Sequence, residues 1–225
     1  MKRNKHHGLN VEFDGLCMDF GHVSLNKKKE FLCGDCYKIE ENDEDHVLVL
    51  SDGLGSGVKA NILSTLTSKI LCTMVSNEVE IEDCVETILQ SLPVCKVRGV
   101  AYSTFSVIHV NGKGEGVLFE FDNPQAILIR GEKCSDLPRE AMNILGKTVY
   151  KSPLALQKDD VIVVMSDGVI HAGIGMTLNL GWQRPEVKDF LDRTVKKGMS
   201  ARAVACLLAG VCNDLYLDKP GDDTT

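Results

Sequence analysis

From Val11 to about Leu50, apolar and polar residues alternate in short runs, broken at Asp14-Gly15 and by the polar stretch Glu40-Glu41-Asn42-Asp43-Glu44-Asp45. A period near two marks half-buried strands, and the clearest is the continuous apolar run Val47-Leu48-Val49-Leu50. After Gly57 the period lengthens. Val58, Ile62, Leu66, Ile70 and Met74 recur at every fourth position to about Asn77, which predicts a helix with that stripe turned onto a sheet. A second amphipathic segment carries Ile81, Val85, Ile88, Leu89 and Leu92 and stops at Pro93. Strand pattern returns in Thr104–Val110, Gly116–Phe121 and Ala126–Ile129. The turns Asn111-Gly112 and Asp122-Asn123-Pro124 between them predict antiparallel neighbours. Gly131–Leu145 reads as polar and irregular, and Val161–Met165 as a buried strand. Two late helices follow, Pro185–Lys197 and Ser200–Leu217, the second with Ser200 as N-cap and Val204, Leu207, Leu208 and Val211 on one face.

No repeat or linker divides the chain. Strands, two helices, strands and two helices, in that order, favour an α+β layered domain of mostly antiparallel sheets covered by helices. A length of 225 residues suits a single domain over 1–225, with residues 1–10 as a flexible start. The 25 Lys+Arg against 32 Asp+Glu leave a net charge of −7. With no dense basic block beyond Lys27-Lys28-Lys29, nothing provides a footprint for nucleic acid. No stretch approaches the ~18 apolar residues of a membrane span, and the start has no apolar signal core, so no membrane partner and a cytoplasmic location are expected. Nine cysteines, an odd count in mostly apolar contexts, suggest reduced thiols and no disulfide.

Candidate chemistry lies in the acids. Val47–Leu50 runs into Ser51-Asp52-Gly53, Val161–Met165 into Ser166-Asp167-Gly168, and Phe31-Leu32-Cys33 into Gly34-Asp35. Each reads as an apolar strand ending in a carboxylate beside a glycine, a rigid mount with backbone free to turn toward a ligand. Asp-Gly is also a common turn dipeptide, and Asp14-Gly15 is read as a turn alone. The repeated Ser-Asp-Gly and the pair Asp222-Asp223 argue for more. Two carboxylates ~5 Å apart at an effective dielectric of ~20 repel by roughly 3 kcal/mol, so several together call for cations. Carboxylates, a backbone carbonyl and water suit Mg²⁺ or Mn²⁺, where zinc would call for clustered His and Cys. Two such ions could activate a bridging water for attack on a phosphoester.

In order, Phe31-Leu32-Cys33-Gly34-Asp35, Val49-Leu50-Ser51-Asp52-Gly53-Leu54-Gly55-Ser56-Gly57, Val164-Met165-Ser166-Asp167-Gly168-Val169 and Gly221-Asp222-Asp223-Thr224 resemble the motifs of stage II sporulation protein E type serine phosphatases. These are a bacterial branch of the metal-dependent PPM protein phosphatases. Ala101-Tyr102-Ser103-Thr104-Phe105 and Asp122-Asn123-Pro124-Gln125-Ala126 resemble the family's central strand pair and its turn. The resemblance implies an αββα sandwich with two metal ions, Mn²⁺ or Mg²⁺, at one end of the sheets. By motif, Asp52 would bridge both ions and the Gly53 carbonyl would bind one. Asp167 and Asp222 would hold the other, and Asp35 would lie on the Gly53 side. Asp223 would support the ligands without being one, and Asp52 and Asp167 would be the catalytic pair. The implied partner is a phosphorylated regulatory protein, such as an anti-sigma-factor antagonist, and a homodimer is compatible with the family.

The chain departs from that pattern in three places. Leu54 stands where the eukaryotic branch carries a histidine that is a candidate general acid. No arginine is dictated by spacing to grip phosphate, which leaves Lys59 and Arg98 as candidates. The family usually continues past the last Asp-Asp-Thr with another strand, while this sequence stops at Thr225, so either that strand follows Thr225 or a sheet edge is left short. Other signals carry rival readings. Gly53-Leu54-Gly55-Ser56-Gly57 lacks the Gly-Lys-Ser/Thr of a P-loop. Cys33-Gly34-Asp35-Cys36 has no second C-x-x-C to complete a zinc ribbon and no helix start for thiol redox chemistry. His171, close after Asp167, is the least bland histidine, and Ile170–Trp182 reads as a loop beside the substrate or a plain connection. The main alternative function is a catalytically weak, phosphatase-like regulatory binding module.

Overall fold

The computed structural model describes residues 15–42, 45–91 and 103–225. Expectations that fall on Val11–Asp14, Leu92, Pro93, Arg98, Ala101 and Tyr102 lie outside the described residues. The elements are β1 (Asp35–Glu41), β2 (Asp45–Gly53), α1 (Gly57–Ser76), α2 (Ile81–Ser91), β3 (Ser103–Asn111), β4 (Glu115–Phe121), β5 (Ile127–Arg130), β6 (Lys133–Asp136), β7 (Glu140–Ile144), β8 (Lys147–Ala155), β9 (Val161–Val163), α3 (Asp167–Ile170), α4 (Arg184–Thr194) and α5 (Ala201–Leu215). Six strands form one sheet in the order β1-β2-β3-β4-β8-β7, and three form a second in the order β6-β5-β9. Every pairing is antiparallel. Helices α1 and α2 cover the large sheet and α4 and α5 the small one, so the architecture is the expected αββα sandwich.

Alternation along the strands explains the layers. Val47 and Val49 face α1 and α2 together with Phe105, Val107 and Phe119. Leu48, Ile108, Val110, Leu118 and, from β8, Leu154 face the other sheet, against Ala126 and Leu128. The run Val47–Leu50 is apolar throughout because both of its faces are covered. A third cluster joins Ile127, Ile129 and Val163 to Val187 and Leu191 of α4 and Val204, Leu208 and Cys212 of α5. Ser200 caps α5, its hydroxyl accepting from Ala203 N at 3.2 Å, as expected. An apolar cavity of about 150 Å³ lies between Ile39, Leu48 and Ile108 of the large sheet and Val163, Val204 and Leu208.

Four expectations are corrected. The stripe Val58, Ile62, Leu66 and Ile70 of α1 faces solvent, with Ile62 52% exposed, and only Met74 packs partly inward. The buried face is instead Gly57, Ala60, Ser64, Thr67, Ser68, Leu71, Cys72 and Val75. Helix and sheet approach so closely there that a Cβ on Gly53 would lie 2.1 Å from the Ala60 carbonyl oxygen, and only small side chains fit. Second, Phe31-Leu32-Cys33 is not a strand; Phe31 is 97% exposed, and Asp35 begins β1 instead of ending one. Third, β9 stops at Val163, and Asp167 opens the short helix α3 behind Ser166. Fourth, Gly131–Leu145 contains the strands β6 and β7. These are joined to β5 and β8 by two-residue turns, Gly131-Glu132 and Leu145-Gly146, with positive φ at both central positions.

Candidate metal centre

The register of the large sheet sets Asp35 opposite Asp52 and Asp52 opposite Thr104, a row across three strands. Opposed residues share a face, and this row continues the face of Ile39, Leu48 and Ile108 that looks toward the second sheet. Beginning a strand and ending its antiparallel neighbour are the same place in space, so the misassigned strand at residues 31–33 does not move Asp35. Asp167 reaches this end of the sandwich from the turn after β9. Asp222 and Asp223 reach it from the C-terminal segment, which is tied down where Leu25 and Thr224 exchange backbone bonds of 2.8 and 3.0 Å.

The four predicted acids do converge. Asp52 is pushed up to about 9, first by burial and then by the charges of Asp35, Asp167 and Asp222. Burial pushes Asp35 up to about 7; hydroxyl bonds from Ser166 and Thr225 oppose the rise, and the charges of Asp223 and Asp167 add to it. Asp167 is raised as well, by burial and then by Asp222, with His171 and Lys27 pulling the other way. Carboxyls that raise one another's proton affinity in this way lack counter-charge.

Each acid has a distinct support. The Ser166 hydroxyl donates to Asp35 Oδ2 at 2.7 Å, and Thr225 N donates to the same hydroxyl at 3.0 Å. The carbonyl of Gly168 accepts from the Tyr216 hydroxyl at 2.8 Å, and its Cα lies so close to the chain that a Cβ would be 2.0 Å from the Asp223 carbonyl oxygen. His171 Nδ1 stands 3.6 Å from Asp167 Oδ2. Beside Asp52, the Thr104 hydroxyl meets Asn123 Oδ1 at 2.5 Å, and Asn123 Nδ2 donates to Ser106 Oγ at 3.0 Å. Gly53 N donates to the Gly34 carbonyl at 3.1 Å, which clamps the two strand ends carrying Asp35 and Asp52.

Among these acids, two buried oxygens have no hydrogen-bond partner, Asp35 Oδ1 and Asp223 Oδ2. A buried carboxylate oxygen without a donor is costly and calls for an occupant. Among the described residues, no three His, Cys, Asp or Glu side chains stand arrayed around one point as a finished coordination shell. The donor set is all oxygen, which fits a hard divalent cation.

Sequence reasoning missed Lys27, whose ammonium lies 3.3 Å from Asp222 Oδ1 and whose backbone N–H donates to Asp223 Oδ1 at 2.9 Å. Its only signal was membership of a basic run. Lys59 lies exposed in the first turn of α1. Cys33 and Cys36 are free thiols, and burial with the nearby Asp35 charge pushes Cys33 up to about 12, against thiolate chemistry. The segment after α3 packs on α5, the Thr177 hydroxyl donating to the Leu215 carbonyl at 2.8 Å.

A family model described as Stage II sporulation protein E (SpoIIE) matches residues 42–225. The chain belongs to the SpoIIE family. The stage II sporulation protein E of Priestia megaterium is 25% identical over 161 residues, 68% of this chain and 27% of that protein, so the chain spans about a quarter of that relative's length. The phosphatase domain of SpoIIE from Bacillus subtilis has a TM-score of 0.67 at 18% identity, over 91% of this chain and 87% of that one. RsbX, solved in complex with magnesium, has a TM-score of 0.63 at 19% identity, over 90% of this chain and 89% of its own. These likenesses show that this SpoIIE chain has the fold of PPM phosphatase domains.

Proposed function

We propose that this SpoIIE-family chain is a Mg²⁺- or Mn²⁺-dependent phosphatase that hydrolyses phosphoserine or phosphothreonine on a regulatory protein. One observation carries the reading. Asp35, Asp52, Asp167 and Asp222 arrive from four separate segments at one end of the sandwich, where burial and neighbouring carboxylates raise the pKa of Asp35, Asp52 and Asp167 and the buried Asp35 Oδ1 is left unpaired. A structural role gives no reason to gather them.

In this reading Asp52, central in the row, would serve both ions and the Gly53 carbonyl would serve one. Asp167 and Asp222 would hold the second, and Asp35 would serve the Gly53 side. When bound, the two ions supply a water of lowered pKa for attack on phosphorus and Lewis-acid stabilisation of the phosphoryl oxygens. The chain's own part is placement. Ser166 fixes which Asp35 oxygen is free, the Gly34–Gly53 bond holds the two strand ends in step, and Tyr216 and the Leu25–Thr224 bridge hold the segments bearing Asp167 and Asp222. Membership of the SpoIIE family supports phosphoester chemistry and a phosphorylated regulator as substrate, with an anti-sigma-factor antagonist as the class to try first.

The test is release of phosphate from a phosphoserine protein or peptide by the purified chain, with Mn²⁺, Mg²⁺ or EDTA. Turnover with either metal and none with EDTA is expected. No turnover under any condition, with partner binding retained, would favour the regulatory-module alternative.

A further inference from the structure

The cation at the acid cage is set by the backbone, and this gives it a second use. Lys27 reaches Asp222 Oδ1 at 3.3 Å, and its charge is also felt at Asp167. Among the described residues, the ion pairs made by these acids are Lys27 to Asp222 at 3.3 Å and His171 to Asp167 at 3.6 Å. The place of Lys27 does not depend on its ion pair. Lys27 N donates to Asp223 Oδ1 at 2.9 Å, Lys28 N to the Pro220 carbonyl at 2.8 Å, Glu30 N to the Lys27 carbonyl at 2.9 Å, and Leu25 and Thr224 bond in both directions. Asp223 and Thr224 are buried. The loop is thereby riveted to the C-terminal segment, and the side chain stands at the mouth of the cage, about one-third exposed.

Charge balance then dictates what this ammonium does once cations enter. Two divalent ions bring four positive charges to the five carboxylates Asp35, Asp52, Asp167, Asp222 and Asp223. With Asp222 engaged as a metal ligand, Lys27 would be released, while a phosphomonoester dianion entering the same mouth would add negative charge that the ions alone would not balance. A flexible ammonium on a fixed backbone is suited to follow that change of partner. We propose that Lys27 is a substrate-binding residue that exchanges Asp222 for the phosphoryl oxygens of the phosphoester when the metals are in place. The proposal rests on the metal-dependent phosphatase reading given above and assigns the phosphate grip to a residue other than Lys59 or Arg98.

The experiment compares wild type, Lys27→Met and Lys27→Arg as full chains loaded with Mn²⁺. Three quantities are read: Mn²⁺ affinity by electron paramagnetic resonance, binding of inorganic phosphate to the Mn²⁺-loaded chain by calorimetry, and KM and kcat for p-nitrophenyl phosphate. A charge-assisted hydrogen bond lost from a phosphoryl group is expected to weaken phosphate binding and raise KM about 10- to 100-fold in Lys27→Met. Mn²⁺ affinity should not weaken, since the ammonium competes with the ion for Asp222, and Lys27→Arg should recover most of the phosphate binding. Phosphate binding and KM within about twofold of wild type would overturn the proposal, leaving Lys27 a counter-ion of Asp222 alone. A loss of Mn²⁺ affinity that accounts for the whole effect would overturn it too. A wild-type chain that neither takes up Mn²⁺ nor turns over any phosphoester would instead refute the phosphatase reading itself.

Discussion

The tripeptide Ser-Asp-Gly occurs at 51–53 and again at 166–168, and the two copies are put to different uses. At the first, the chain is still a strand. Alternation turns Ser51 toward α1, where its hydroxyl lies 2.6 Å from that of Ser103, while Asp52 points between the sheets. At the second, the strand has already ended. Ser166 sits at the N-cap position of α3 but gives its hydroxyl to Asp35 instead of to the helix, and Asp167 is on the rim, with His171 one turn on. The glycines differ as well. Gly53 makes room for the Ala60 carbonyl of α1, and Gly168 for the Asp223 carbonyl of the C-terminal segment. One motif sets the centre of the acid cluster and the other its edge, so identical residues have unequal weight.

That inequality can be broken by mutation. Asp52→Asn is expected to lower Mn²⁺-dependent phosphate release by more than about 100-fold, beyond what loss of a merely supporting group costs. Asp167→Asn, at the rim and sharing its side with Asp222, should cost about 10- to 100-fold and be partly offset by higher Mn²⁺ concentration. Steady-state kinetics across metal concentrations measures both, and equal losses would erase the distinction between centre and edge.

The glycines provide the next contrast. Gly53→Ala drives a methyl against the Ala60 carbonyl within the main core and should destabilise the fold by about 1–3 kcal/mol in urea unfolding. Gly168→Ala pushes on Asp223 and the C-terminal segment, so it should weaken Mn²⁺ uptake more than it lowers the midpoint of unfolding.

A smaller effect follows from the proton affinities. Asp35 and Asp52 ionise near 3.8 when unperturbed but are raised to about 7 and about 9 in the folded, metal-free chain. Between those values the folded state holds more protons than the unfolded one, so stability falls as pH rises. Thermal melts in EDTA should show a lower Tm near pH 8.5 than near pH 5, and excess Mn²⁺ should reverse the loss at the higher pH. A Tm that rises over this range without metal would contradict the closeness of the acids.

The strands buried on both faces, such as Val47–Leu50, were legible because continuous apolar character leaves few alternatives, and α5 was legible from Ser200 and its stripe. Helix α1 was misread because its buried face is chosen for size. Ala60, Ser64, Thr67 and Ser68 fit a close helix–sheet contact that a hydrophobicity pattern does not register, while its larger apolar residues were left outside. Strands β6 and β7 were missed because they are mostly exposed and their turns use Gly131-Glu132 and Leu145-Gly146 instead of Asn-Gly. Asp35, Asp52 and Asp167 were singled out because each stands beside a glycine after an apolar run and Ser-Asp-Gly is repeated, and Asp222 because it pairs with Asp223 and completes the order of the family's motifs. Lys27 was not, because its role comes from backbone bonds to residues nearly the whole chain away.

The central claim is that the gathered carboxylates form a cation site, and titration of Mn²⁺ into the purified, metal-stripped chain tests it most directly. Saturable uptake approaching two ions per chain, abolished or halved in Asp52→Asn, is the expected result. A wild-type chain that takes up no Mn²⁺ would contradict the account.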